Sequence, residues 1–239
     1  MSAPDDRILL AAAAGALTAI GWAAYASPAL CAAVPALRPA LGVEDAVGGE
    51  NAYALTFDDG PHARGTPAVL DVLAAESTRA TFFLVGEQIL RNPALPAEIL
   101  AAGHAVALHC HRHRNLLRLA PSQVRDDLAR AHSAIGEHAG VAPTLYRPPY
   151  GILNAAALRT ARRHGWRTVL WSQWGRDWES SATPTTIAAR ATAGAGRGSV
   201  ILLHDADDYG SPGSWRQTAQ ALPRIIETMR ARGLQSALL

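Results

Sequence analysis

Seven apolar or β-branched runs alternate along this chain with six stretches of helical character, and that alternation limits the fold more than any other feature. The runs are Ala52–Phe57, Ala80–Val85, His104–Leu108, Thr144–Tyr146, Arg167–Trp171, Ser199–Leu203 and Leu234–Leu238. Between them lie Thr66–Glu76, Ala94–Ala102, Pro121–His138, Asn154–His164, Thr185–Ala193 and Trp215–Arg232. Parallel strands need a crossover connection, usually a helix, and are buried on both faces, so they read as near-continuous apolar runs. The pattern therefore predicts an α/β fold with a parallel sheet. No Gly-rich phosphate turn or dinucleotide fingerprint follows the first run. A closed or nearly closed barrel of about seven parallel strands is favoured over an open doubly wound sheet.

The unusual polar residues fall where such a barrel would gather them. Asp58 and Asp59 follow the first run, and His109, His111 and His113 the third. Arg147-Pro148-Pro149-Tyr150 follows the fourth, Asp177-Trp178 the fifth, and His204-Asp205 the sixth. All lie at or beyond C-terminal strand ends, which share one rim in a parallel barrel, the rim where active sites are built. Two adjacent carboxylates at a sharply turning strand end can face one cleft and divide labour, one holding a metal and one taking a proton. Taken alone, Asp58-Asp59-Gly60-Pro61 reads more simply as a turn whose Asp side chains bond the backbone. His109 and His113 are four apart, which on a helical turn puts both imidazoles on one side, as a bidentate metal clip requires. With one carboxylate they make a two-nitrogen, one-oxygen set that leaves positions open for water. Solvated histidines are the simpler account of the pair by itself.

Composition narrows the chemistry. The net charge of +2 gives no footing for a nucleic-acid partner. The chain has no lysine, which excludes Schiff-base chemistry. Its two cysteines, Cys31 and Cys110, make no disulfide framework. From Ile8 to Leu37 there is neither a charged residue nor a histidine. Residues 1–38 are expected to be an N-terminal apolar segment, either a membrane anchor or a signal peptide cleavable after Ala24-Tyr25-Ala26. Both options send the rest of the chain to the cell membrane or outside the cell. Residues 39–51, with Gly42, Gly48 and Gly49, read as a linker, and 52–239 as the catalytic domain.

On these residues the chain resembles the NodB-type polysaccharide deacetylases of carbohydrate esterase family 4. The resemblance runs from about Tyr53 to Leu238 and rests on five short motifs in family order. They are Thr56–Pro61, His109–His113, Arg147–Tyr150, Asp177-Trp178 and Leu202-Leu203-His204. The resemblance implies a distorted (β/α) barrel and a divalent metal held by Asp59, His109 and His113, most simply zinc, with cobalt or nickel as alternatives. It implies Asp58 as the base that activates water, Arg147 as its orienter, and His204 as the acid, paired with Asp177. It implies the Tyr150 N–H as an oxyanion donor, with Trp178 and Leu202 lining the acetyl pocket. Cys110, Arg114 and Trp174 depart from the family pattern, in which Ser or Thr, Pro and Asp are usual.

The expected function is thus removal of N-acetyl groups from an amino-sugar glycan, peptidoglycan or chitin-like. Two alternatives keep the mechanism and change the substrate: O-acetyl groups on xylan, or a formyl group on a lipid-linked amino sugar. A third has no chemistry, a membrane-tethered glycan-binding module.

Overall fold

The computed structural model describes residues 18–239. Its centre is a parallel sheet of β1 (Val43–Glu44), β2 (Ala52–Asp58), β3 (Thr81–Val85), β4 (Ala105–Cys110), β5 (Leu145–Tyr146), β6 (Arg167–Val169), β7 (Gln173–Trp174), β8 (Val200–His204) and β9 (Gln235–Ser236). Around it run α1 (Gly65–Ala75), α2 (Gly86–Arg91), α3 (Leu95–Ala101), α4 (Pro121–Ala139), α5 (Ala155–His164), α6 (Pro184–Thr192) and α7 (Ser214–Ala231). The strand order is β1-β6-β5-β4-β3-β2-β8-β7, with β9 beside the start of β2.

That order forces curvature. β6 and β7 stand towards opposite ends of it, yet only Leu170, Trp171 and Ser172 separate them. Four residue steps span at most roughly 14 Å, so the sheet must curl until its ends meet. Ala46 and Ser199 add an isolated antiparallel bridge, and the Val47 N–H donates to the Gly198 carbonyl at 2.9 Å. The result is the barrel that the alternation predicts, distorted as the resemblance implies.

Strand alternation then sorts the side chains, because successive residues point to opposite faces. Leu55, Phe57, Phe82, Leu84, Leu108 and Ile201 belong to the large buried cluster shared with the helices. Phe83, Ala107, Leu145 and Val169 form a second, smaller cluster with Leu239, which fills the barrel interior. By the same parity Asp58, His109, Arg147, Leu202 and His204 share the inward face, at its C-terminal rim.

Two expectations fail for identifiable reasons. Residues 39–51 are not a free linker. Val43 and Glu44 pair in parallel with Thr168 and Val169, and a strand of two residues leaves no apolar run to find. β7 is equally short and half of it is solvent-facing, so Arg167–Trp171 looks like one strand when the chain in fact changes neighbour there.

Nor is the described part of the apolar segment a single span. Residues 18–26 are helical and keep Ile20 and Trp22 exposed, after which Pro28 and Pro35 break the chain into short turns. Cys31 is buried there, and the Tyr25 hydroxyl donates to the Leu119 carbonyl at 2.7 Å. Among the described residues no helix is long and apolar enough to cross a membrane. Residues 8–17 of the apolar run lie outside the described residues.

Candidate active site

The site is built from four strand ends. β2 ends on Asp58, and Asp59 follows with φ of 80°, a left-handed conformation that L residues rarely hold. This twist turns the Asp59 side chain out of strand alternation, so that two neighbours face one cavity. Gly60 is required next: a Cβ there would lie 2.4 Å from an Asp205 carboxylate oxygen.

β4 delivers His109, and the chain then bends rather than entering a helix. The four-residue spacing brings the two imidazoles together, with ring centroids 5.1 Å apart, but the helical turn expected to do it is absent. Asp127, buried on α4, makes the bend instead. Its carboxylate accepts the His111 N–H at 2.8 Å and the Arg112 N–H at 3.2 Å, and it pairs with Arg114 at 2.8 Å. His111 points away from the cleft and packs on Gly86, where a Cβ would lie 2.4 Å from its Nδ1.

These residues fit a divalent cation. His109 Nδ1 lies 2.7 Å from the Arg147 carbonyl oxygen, which can only accept, so the proton sits on Nδ1 and Nε2 is free to ligate. Asp59 Oδ1 is 3.5 Å from that Nε2 and 3.2 Å from His113 Nε2, buried and without a hydrogen-bond partner. One ligand atom from each of Asp59, His109 and His113 lies within 4.8 Å of the others. Burial opposes ionisation of Asp59. The His109 imidazole, followed by His204 and His113, outweighs it and holds the carboxyl at about 2. Burial pushes His113 down to about 4, leaving it neutral as a ligand must be.

Two supporting pairs flank this group. Arg147, fully buried, donates through Nη1 to Asp58 Oδ1 at 2.7 Å and to Thr56 Oγ1 at 2.8 Å. Its Nε donates to the Val169 carbonyl at 3.0 Å, and its guanidinium lies 4.0 Å from the Phe83 ring centroid. Asp58 Oδ1 is thereby occupied, and Oδ2 is the oxygen left to the cleft, 4.0 Å from His109 Nε2. On the other side, Asp177 accepts three bonds. They come from His204 Nδ1 at 2.8 Å, the His204 backbone N–H at 2.7 Å and the Thr218 hydroxyl at 2.7 Å. Burial lowers the His204 pKa, but the Asp177 carboxylate more than offsets it and the ring is raised to about 10. His204 Nε2 points towards Asp59, 3.9 Å from its Oδ2.

The cavity these groups share is about 230 Å³. Trp178 and Leu202 line it, joined by Trp171, Trp174, Tyr150 and Tyr209. Tyr150 holds φ of 60° and projects its half-exposed ring edge-on to His113, 4.5 Å between centroids. Arg147 and Asp177 stand behind the cavity wall, as holders of Asp58 and His204.

Sequence reasoning missed Asp127, and gave Asp205 and Tyr209 a place on the rim without a defined task. Tyr209 stacks on His113 at 4.4 Å, from a loop, 205–214, that reads from sequence equally as part of a substrate subsite or as solvated. Asp205 is buried beside Gly60, bonded by the Thr66 hydroxyl at 2.5 Å, and burial raises it to about 7. Only an unpaired Asp inside an otherwise amphipathic helix could have pointed to Asp127.

Comparison with known proteins identifies the family. The polysaccharide deacetylase family matches residues 45–169, more than half of the chain. The chain belongs to that family. Among its relatives is a peptidoglycan-N-acetylglucosamine deacetylase of Bacillus cereus, 34% identical over 186 residues, covering 77% of this chain and 84% of the relative. A chitooligosaccharide deacetylase of Bradyrhizobium is 35% identical over 196 residues, covering 79% of this chain and 89% of the relative. Of solved structures, a peptidoglycan N-acetylglucosamine deacetylase superposes with a TM-score of 0.76 at 30% identity, covering 82% of this chain and 90% of that one. The barrel seen here is the fold that this polysaccharide deacetylase shares with those structures.

Proposed function

We propose that this polysaccharide deacetylase is a metal-dependent hydrolase that removes N-acetyl groups from amino-sugar glycans of the peptidoglycan or chitin type. The observation that carries the reading is the pairing of opposites across one small cavity. Asp58 is held in place by a buried Arg147 on one side, and His204 is held protonated by a buried Asp177 on the other. A base and an acid set on either side of a ligand group are what amide hydrolysis needs. The relatives named as deacetylases of peptidoglycan and chitooligosaccharides support the same substrate class.

Asp59, His109 and His113 would hold the metal. Bound there, a divalent ion would lower the pKa of water to ~7 and polarise a carbonyl. The two-imidazole, one-carboxylate set suits zinc, with cobalt and nickel as competitors.

The chain's own residues do the rest. Asp58 Oδ2 takes the proton of the attacking water, and Arg147 keeps that carboxylate aimed through a charge-assisted bond. The Tyr150 N–H lies in a turn whose next two N–H groups are already taken by Pro148 and Pro149, which leaves it as the oxyanion donor of that turn. His204 Nε2–H protonates the departing amine, because Asp177 fixes the proton on Nδ1 and stabilises the imidazolium. Trp178 and Leu202 receive the acetyl methyl and exclude bulk water. With such a substrate the enzyme works outside the cytoplasm.

The test is acetate release from N-acetylglucosamine oligomers by zinc- or cobalt-loaded protein. Release that falls at least about a hundredfold in Asp58→Asn, the scale of general base catalysis, fits the proposal. No release from any oligomer with either metal would sink it.

A further inference from the structure

The catalytic cavity, at about 230 Å³, is smaller than the roughly 300–1,000 Å³ of pockets that enclose a whole ligand. It has room for an acetamido group and part of its ring, but a polymer must leave through the mouth. Three of its lining residues, Tyr150, Trp171 and Trp174, also line a second groove that continues outwards from it. The far wall of this groove comes from the N-terminal side of the chain, from Ala33, Pro35, Arg38 and Asp45.

The groove is shaped, not merely open. Trp171 is pressed against Gly151, where a Cβ would lie 2.8 Å from its ring, so the indole is fixed in the floor. Trp174 stacks beside it, 5.9 Å between centroids with 30° between planes, and remains 43% exposed. A large indole left this exposed at the mouth of a catalytic cavity has no core to fill. Opposite it, Arg38 is buried and held by the Cys31 carbonyl at 3.1 Å, the Trp171 carbonyl at 3.0 Å and Asp45 Oδ2 at 2.6 Å. Asp45 keeps its side chain 37% exposed, so its carboxylate is both oriented and available.

Resting on the deacetylase reading, we propose that this groove is a subsite for the sugar ring linked to the reacting one. Trp174 is its stacking platform and Asp45 its hydroxyl acceptor. A pyranose presents a C–H face and a rim of hydroxyls, and an aromatic face opposite a fixed carboxylate matches both. The N-terminal stretch thereby becomes part of substrate recognition. Trp174, which stands where the family commonly has Asp, becomes a specificity-determining residue. The reaction then favours oligomers over the free acetamido sugar.

The experiment compares N-acetylglucosamine monomer and tetramer on the full chain and on Trp174→Ala and Asp45→Ala. One readout is the tetramer-to-monomer ratio of kcat/KM with metal loaded. The other is the corresponding ratio of binding constants to the metal-free protein, followed by calorimetry. The wild type is expected to prefer the tetramer about tenfold in both. Each variant is expected to lose at least two-thirds of that preference, and Trp174→Phe to retain most of it. No preference in the wild type, or a preference that both variants keep, overturns the subsite. Acetate release without length preference leaves the deacetylase reading standing and removes the subsite. Length-dependent binding lost in Trp174→Ala, with no acetate released, keeps the subsite and removes the deacetylase reading.

Discussion

At the scale of single residues, the separate tasks proposed for the neighbours Asp58 and Asp59 rest on their separate partners. The left-handed backbone at Asp59 lets both reach one cavity, yet Arg147 touches only Asp58, and His113 only Asp59. Asp59→Ala should therefore abolish stoichiometric metal in the purified protein, as read by atomic emission. Asp58→Asn should keep the metal and lose turnover, since its amide oxygen can still accept from Arg147. Alanine is the poorer probe at position 58. It would leave a buried guanidinium unpaired, a change that costs about 3–5 kcal/mol. Equal metal loss in both variants would contradict the division. His204 carries a pH prediction of definite sign. Its folded pKa, raised to about 10, lies above the ordinary 6.5, so between 6.5 and about 10 the folded ring keeps a proton that the unfolded one has lost. The stability it contributes is fully present below 6.5 and disappears over the same window. Asp177→Asn removes the largest favourable partner and leaves the burial. The alkaline limb of kcat should then move down by more than one unit, and an unmoved limb would show that another group titrates there.

Among the elements, those that fold from local pattern were legible in the sequence, and those that exist only through pairing were not. β2, β3, β4 and β8 are apolar runs whose positions can be read directly, and polar residues with candidate chemistry stand at the ends of β2, β4 and β8. β1 and β7 have two residues each and acquire their conformation from β6 and β8, so no periodicity marks them. The bend between His109 and His113 depends on Asp127, distant in sequence, which is why the spacing anticipated two converging imidazoles through the wrong local geometry. Asn154 shows the limit within one residue. It opens the helical stretch read from the sequence, and in the structure it is the cap of α5, its Oδ1 accepting the Ala157 N–H at 2.9 Å. Nothing local reveals that its Nδ2 also donates to the Leu116 carbonyl and the Tyr25 hydroxyl, each at 2.7 Å. Asn154→Ala removes the cap and strands a buried carbonyl, so the expected loss is about 2–4 kcal/mol in urea unfolding. A loss below about 1 kcal/mol would mean that the tertiary bonds are replaced by water.

At the scale of the whole molecule, the barrel is completed by residues that precede the catalytic strands. β1 covers one side of β6, the Ala46–Ser199 bridge ties the same stretch to β8, and Arg38 bonds the Trp171 carbonyl between β6 and β7. Cys31 and Val43 are buried in the main core, and Tyr25 packs against it. A chain begun at Ala52, the boundary that the Gly-rich 39–51 stretch suggests, would expose the β6 edge and the apolar surface beneath these residues. An uncovered edge strand is a template for pairing with another copy. The shortened protein should therefore show a lower unfolding midpoint and concentration-dependent association in light scattering, whereas the full chain should not associate in this way. Its proposed metal ligands would all remain, since Asp59, His109 and His113 come from the β2 and β4 ends. If it nevertheless unfolded at the same denaturant concentration as the full chain, the N-terminal stretch would be an accessory to the barrel rather than part of its closure. Loss of stability with metal binding retained is the outcome expected from the pairing.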